Sequence, residues 1–156
     1  MNNNDILRRL RYALRLSDKQ LAIIFEKGGY AIPAEDTAAL LGKEDEQGTV
    51  VCMDDLMVTF LDGLILDRRG PPKGGGKPHP EPERLTNNAI LKKIRIALKL
   101  QESDMIEILT AGGQQMSKGE ITALFRKPGH KHFRACGDQV VRAFLRGLTA
   151  RLRPNE

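Results

Sequence analysis

The chain has 156 residues, 40% of them hydrophobic and 29% charged, so it can bury a core and stay in solution. No apolar run approaches the ~18 residues that span a bilayer, and the beginning, MNNNDILRRL, lacks the order of a secretory signal. Two cysteines in such a chain predict reduced thiols rather than a disulfide framework. We therefore expect a cytoplasmic protein with no membrane partner.

Apolar residues at helical spacing predict four helices in residues 1–69. The first begins near Asp5, and the others run from about Asp18 to Lys27, from about Pro33 to Leu41 and from about Asp54 to Arg68. Ser17 and Gln20 stand at capping-box spacing before the second helix. Gly63 lies inside the fourth helix, where glycine costs about 1 kcal/mol relative to alanine. We expect another backbone to approach it closely.

The same pattern occurs a second time. Residues 4–29 read NDILRRLRYALRLSDKQLAIIFEKGG, and residues 88–113 read NAILKKIRIALKLQESDMIEILTAGG, an offset of 84 without a gap. At the same offset, CMDDLMVTFLDGLILDRR from Cys52 matches CGDQVVRAFLRGLTARLR from Cys136, and Gly147 repeats Gly63. The sequence therefore predicts an all-α protein of two homologous four-helix units.

A segment rich in glycine and proline separates the copies. Residues 70–84 read GPPKGGGKPHPEPER, in which neither helix nor strand is expected to persist. We predict a first helical repeat at residues 1–69, a linker at 70–84 and a second helical repeat at 85–156. A unit of this size is only marginally stable alone, so we expect the repeats to share an interface or to pair within a homodimer.

The stretch HKHFRACGDQ begins at His130 and contains residue types that are common in metal and catalytic sites. In the first repeat the same positions read EQGTVVCMDD, so Cys136 and Asp138 recur as Cys52 and Asp54 whereas the histidines do not. A recurrent cysteine behaves as a small buried apolar residue, and an aspartate in the first helical turn complements the helix dipole. The recurrence favours a structural role.

Two chemical alternatives for this stretch have less support. A metal site would use His130, His132 and Cys136, with no second ligand cluster to complete a structural zinc site. A Cys–His nucleophilic pair would have no identifiable orienting residue, and the first repeat lacks the base. We predict no metal, no cofactor and no catalytic residues, and therefore a protein that is not an enzyme.

Basic residues spaced three and four apart lie on one face of the first helix in each repeat. They are Arg8, Arg11 and Arg15, and Lys92, Arg95 and Lys99. Residues 1–77 hold 11 Lys and Arg against 12 Asp and Glu, a net of −1, and residues 78–156 hold 14 against 8, a net of +6. Because cationic faces neutralise phosphates, these six residues predict DNA or RNA contacts.

Other interpretations of these features stay open. The basic rows are also typical of solvated faces of amphipathic helices. The second helix, the Gly-Gly turn and the third helix loosely resemble a helix-turn-helix, although PAEDTAALL in the first repeat carries no basic side chain. The alternative function is a protein-interaction or regulatory adaptor that binds a protein partner in an apolar groove between the repeats.

Four segments of the chain resemble the YehS-like family of small bacterial cytosolic proteins. They are NDILRRLRYAL, NNAILKKIRIALKL, EITALFRKPGHKHFRACGDQ and AFLRGL, of which PGHKHFRACGDQ is the most specific. The resemblance covers both repeats and leaves the linker aside. It implies tandem copies of one domain in a bacterial cytosolic setting. The function of that domain is unassigned, so the resemblance implies no catalytic or binding residues.

Overall fold

The computed structural model describes residues 1–72 and 84–155. Residues 73–83, which hold most of the predicted linker, and residue 156 lie outside the described residues. Both described ranges are helical and contain no strand, as the sequence predicts. The chain divides into two compact units, Met1–Leu85 and Thr86–Glu156.

The first unit contains four α-helices and one short 3-10 turn. They are α1 (Asn3–Leu14), α2 (Asp18–Lys27), the 3-10 turn (Ala34–Asp36), α3 (Ala38–Leu41) and α4 (Asp54–Arg69). The first helix begins earlier than predicted because the Asn2 side chain caps it and accepts a hydrogen bond from Asp5 N at 2.8 Å. The predicted third helix is split because the Thr37 hydroxyl donates back to Ala34 O at 2.7 Å and closes the 3-10 turn.

The second unit repeats this order with a regular third helix. Its helices are α5 (Asn87–Ala97), α6 (Glu102–Ala111), α7 (Lys118–Leu124) and α8 (Asp138–Leu152). A capping box begins α7: Glu120 N donates to Ser117 Oγ at 3.1 Å, and Ser117 N donates to Glu120 Oε1 at 3.0 Å. The first repeat has Pro33 and Asp36 at these positions, and the Pro33 side chain cannot make the reciprocal bonds.

Two glycines bring α2 and α4 into backbone contact. A Cβ added at Gly63 would overlap the carbonyl oxygen of Ile24, and one added at Gly28 would overlap the carbonyl oxygen of Thr59. The close approach predicted for Gly63 is therefore confirmed. The helices lie too near each other for any larger residue at these positions.

The second repeat packs α6 against α8 in the same way. The carbonyl oxygen of Ile108 occupies the space where a Cβ on Gly147 would lie, and that of Ala143 does so for Gly112. The glycines recur because each repeat needs the same contact between two helices.

A buried asparagine joins the remaining elements of the first repeat. Asn4 is 3% exposed, and its Nδ2 donates to the carbonyl oxygens of Leu40 at 3.0 Å and Val50 at 2.8 Å. Its Oδ1 accepts from Cys52 N at 2.8 Å. One side chain on α1 thus satisfies three backbone groups of the segment that connects α3 with α4.

Asn88 makes the same three bonds in the second repeat. Its Nδ2 donates to Leu124 O and Arg134 O, both at 2.8 Å, and its Oδ1 accepts from Cys136 N at 3.0 Å. Asn87 adds a bond from its Nδ2 to Cys136 O at 3.0 Å. We call the two arrangements around Asn4 and Asn88 the asparagine clamps.

The glycine contact predicts an unusual response to alanine. Replacing Gly147 with alanine should destabilise the second repeat by about 2 kcal/mol, because the new methyl group overlaps a carbonyl on α6. Gly119 lies inside α7 with nothing closer than 4.0 Å to an added Cβ. Gly119→Ala should therefore stabilise the same repeat by about 0.5–1 kcal/mol. Urea unfolding followed by far-ultraviolet circular dichroism measures both, and equal effects of the two substitutions would contradict the packing argument.

The asparagine clamp predicts a large cost for a small truncation. Asn4→Ala should lower the free energy of unfolding by about 3 kcal/mol or more, because three backbone groups, two of them in buried bonds, lose their partner. Asn2→Ala removes only an exposed helix cap and should cost about 1 kcal/mol. The comparison is made by urea unfolding of the full chain, and an Asn4→Ala cost no larger than that of Asn2→Ala would refute the clamp.

Candidate nucleic-acid interface

The two cysteines of the repeated motif are buried and unbonded to each other. Burial raises the pKa of the Cys52 thiol to about 12 and that of the Cys136 thiol to about 11, with smaller contributions from the carboxylates of Asp54 and Asp138. Both thiols are therefore protonated and unreactive at neutral pH. The geometry agrees with the structural role that their recurrence favours.

The two histidines of the same stretch lie on the surface. His130 and His132 are exposed, their ring centroids are 5.6 Å apart, and His132 N donates to His130 Nδ1 at 3.0 Å. Across residues 1–72 and 84–155, no three His, Cys, Asp or Glu side chains are grouped so that they could hold a metal ion.

The predicted basic row on α1 is largely engaged with its own repeat. Arg8 pairs with Asp5 at 2.7 Å and donates to Leu41 O at 3.1 Å. Arg11 Nη1 donates to Leu16 O at 3.2 Å. Arg15 follows α1 in the left-handed conformation, with φ of 56°.

The row on α5 is more accessible. Arg95 Nε donates to Leu100 O at 3.0 Å, which matches the bond made by Arg11 in the first repeat. Lys99 follows the helix with φ of 55°. Both Lys92 and Lys99 are exposed and pair with no carboxylate among the described residues. The recurrence of the middle arginine thus has a structural explanation, whereas Lys92 and Lys99 are exposed and could contact an anion.

A second basic element lies next to this row. We call residues 126–134, between α7 and α8, the basic loop; Arg126, Lys127, Lys131 and Arg134 are all exposed on it. Gly129, with φ of 94°, turns the loop, and its end is held by Arg134 N, which donates to Ala123 O at 3.1 Å. Sequence reasoning placed the basic excess in residues 78–156 but did not include these four residues among the predicted nucleic-acid contacts.

The basic loop begins beside the α5 row. The Arg95 guanidinium lies 4.9 Å from the centre of the Phe125 ring, and Phe125 directly precedes Arg126. In the first repeat, Arg8 reaches the carbonyl oxygens of Leu41 and Gly42, which correspond to Phe125 and Arg126. The equivalent of Arg8 is Lys92. The Arg95–Phe125 contact brings the α5 row to the start of the loop, and we refer to the exposed cations of the row and the loop as the basic surface.

Most acidic residues of the second repeat are bonded outside the basic surface. Asp104 and Glu107 pair with Arg151 at 2.6 and 3.4 Å. Glu102 lies 3.9 Å from Lys118, and Asp138 accepts from Asn87 at 2.9 Å. Among the carboxylates of residues 84–155, only Glu120, 2.8 Å from Arg134, is bonded to a side chain of the basic loop. These residues hold 14 Lys and Arg against 5 Asp and Glu, a net of +9.

The equivalent loop of the first repeat has the opposite character. Residues 42–50 read GKEDEQGTV and carry three consecutive acidic residues. Residues 1–72 as a whole hold 9 Lys and Arg against 12 Asp and Glu, a net of −3. The two repeats share a fold and differ in the charge of this loop.

The turns between the second and third helices differ from a helix-turn-helix. Six residues, 112–117, separate α6 from α7, whereas that motif uses a turn of about three or four.

Among the residues the structure describes, no helix combines the length and the apolar character that crossing a membrane requires.

Comparison with known proteins places these repeats in a family. A family described as "Protein of unknown function (DUF1456)" matches the chain twice, over residues 3–70 and 87–153. The chain belongs to this family. It is also 47% identical over 152 residues to "Uncharacterized protein YehS" of Escherichia coli (strain K12), covering 97% of this chain and 96% of that protein. No solved structure matches the chain. The YehS-like resemblance and the tandem organisation of this family are thereby confirmed.

The buried thiols predict slow chemical modification. At pH 8 both cysteines should react with a disulfide reagent at least about a hundredfold more slowly in the folded chain than in guanidinium, because raised pKa values and burial deplete the thiolate. Stopped-flow absorbance measures the rates of modification, and a thiol that reacts equally fast in both states would contradict burial.

The same thiols predict a pH dependence of stability. Above about pH 9 the unfolded thiols ionise and the folded ones do not, so the free energy of unfolding should fall as pH rises from 9 towards 11.

Proposed function

We propose that this protein is a non-enzymatic nucleic-acid-binding module whose second repeat contacts the phosphate backbone. The proposal is supported by one observation: Arg95 packs on Phe125, directly before a loop with four exposed cations, and among the carboxylates of residues 84–155 only Glu120 is bonded to a side chain of that loop. The main contacts are Lys92 on α5, Lys99 just after it, and Lys127 and Lys131 on the loop. Their ammonium groups neutralise phosphates and release counterions, and this release provides most of the free energy of sequence-independent binding.

Most of the remaining predicted residues are bonded to backbone carbonyls of their own repeat. Arg95 is held between Leu100 O and the Phe125 ring, so it supports the surface and adds charge to it. Arg8 and Arg11 use donors on carbonyl oxygens of their own repeat, and with Arg15 they belong to the acidic half of the chain. The first repeat therefore contributes less to phosphate binding than the second.

Matched charge reversals test the proposal. Lys127→Glu with Lys131→Glu should weaken binding of a fluorescent oligonucleotide by about tenfold or more, because two phosphate contacts become repulsions. The control is Lys19→Glu with Lys43→Glu, which makes the same change in net charge on exposed residues of the first repeat. Fluorescence anisotropy at two salt concentrations measures both variants and the wild type.

The salt dependence separates a specific surface from net charge alone. Each lost phosphate contact should lower the slope of log K against log salt by about 1. Equal losses in the two double variants would assign the effect to net charge and remove the basic loop from the interface. A wild type that binds neither DNA nor RNA at low salt would end the proposal.

A second function is favoured by the first repeat. Val50, Val51 and Met53 are 55%, 68% and 63% exposed, in the segment that leads into α4. The second repeat has Arg134, Ala135 and Gly137 at these positions, so this apolar segment is particular to the first repeat. It supports a protein-interaction role, which becomes the leading function if the wild type binds no nucleic acid.

A further inference from the structure

A shallow depression of about 620 Å³ lies between α7 and the basic loop. Its lining is contributed by Ser117, Gly119, Glu120, Ala123, Arg126, His132 and Arg134. Gly119 and Ala123 contribute little side-chain volume, while two guanidiniums and an imidazole stand around them. The depression therefore joins a small apolar lining to three side chains that can bind an anion or a flat ring.

The chemistry of these side chains matches a nucleotide. Guanidinium groups present planar forks of donors that fit phosphate oxygens in pairs. Imidazole rings and guanidinium planes also stack on nucleobases that have left a helical stack. Arg126 and Arg134 thus suit the phosphate, and His132 suits the base. A volume near 620 Å³ lies in the range of small-molecule clefts, roughly 300–1,000 Å³, and is far smaller than a duplex.

Glu120 holds one arginine in position. Its Oε2 lies 2.8 Å from Arg134 Nη1, and its Oε1 accepts from Ser117 N at 3.0 Å. The Ser117 bond, followed by the Arg134 bond, lowers the pKa of the Glu120 carboxyl group. Both carboxylate oxygens are occupied, and Arg134 keeps further N–H donors for a ligand.

We infer that this depression binds one unstacked nucleotide of a single-stranded nucleic acid. Its phosphate lies between Arg126 and Arg134, and its base packs against His132. The inference rests on the proposed function and narrows it, because a duplex keeps its bases stacked and cannot fill the depression. The second repeat therefore prefers single strands to duplexes of the same charge.

The first repeat shows which residues can replace the three ligand-facing side chains in a test. The positions of Arg126, His132 and Arg134 are Gly42, Gly48 and Val50 there, so the three ligand-facing side chains are absent. The backbone at the last position is alike in both repeats: Val50 N donates to Ala39 O at 2.9 Å, and Arg134 N to Ala123 O at 3.1 Å. The asparagine clamp uses only the carbonyl of Arg134, so its side chain can be replaced while the clamp remains.

The experiment compares two variants of the full chain against a fluorescent 12-nucleotide single strand and a duplex of the same length. Arg126→Ala with His132→Ala and Arg134→Val should weaken single-strand binding by about tenfold or more beyond its effect on the duplex. Lys127→Ala with Lys131→Ala should weaken both ligands by similar factors, because those lysines contact phosphates alone. Anisotropy titrations give the ratio of variant to wild-type dissociation constant for each of the two variants with each of the two ligands.

Two conservative variants distinguish loss of a binding contact from loss of the folded structure. Arg126→Lys and Arg134→Lys keep the charge and remove the planar fork, so each should weaken the single strand more than the duplex. Equal losses for both ligands in every depression variant would overturn the inference and leave the proposed function standing. A wild type that prefers the duplex would overturn it too. No binding of either ligand by the wild type would instead reject the proposed function itself.

Discussion

In each repeat, one asparagine side chain of the first helix holds the segment between the third and fourth helices. In the second repeat, Asn88 Nδ2 donates to Leu124 O, just before the basic loop, and to Arg134 O, at its last residue. Asn88 Oδ1 accepts a hydrogen bond from Cys136 N. The loop cannot open without breaking these three bonds. Of its charged side chains, Arg134 also pairs with Glu120 on α7 at 2.8 Å, and Arg126, Lys127 and Lys131 are exposed.

The backbone contact between the second and fourth helices complements the clamp. Gly147 lets α8 lie against a carbonyl of α6, and Gly63 does the same in the first repeat. Small units have little surface to bury, so close helix packing matters for their stability. The helix pair and the clamp together define the fold, and both are common to the two repeats. The loops between them differ, one acidic and one basic.

Much of this architecture could be predicted from local sequence. Helical spacing located α2 with its observed bounds, and the offset of 84 identified the duplication and Gly63. The clamp could not be predicted, because Asn4 bonds carbonyls 36 and 46 positions away, beyond any helical spacing. The prediction that each basic row lies on one helix face was wrong for its last member, because Arg15 and Lys99 follow their helices with positive φ. Spacing also cannot show that Arg11 donates to Leu16 O, two residues after its own helix ends. The recurrence of an Asn-Asn pair at residues 3–4 and 87–88 was the available signal for the clamp.

The equal lengths of the two loops have a practical consequence. Residues 42–50 and 126–134 leave and rejoin the same framework atoms, and they already carry nearly unrelated side chains. Such a segment tolerates sequence variation between fixed anchor points. Residues 127–133 could be randomised as a library and displayed for selection of new binders, with Asn88 and the paired glycines left intact. Because the fold holds two such positions, one chain could present two independently selected specificities.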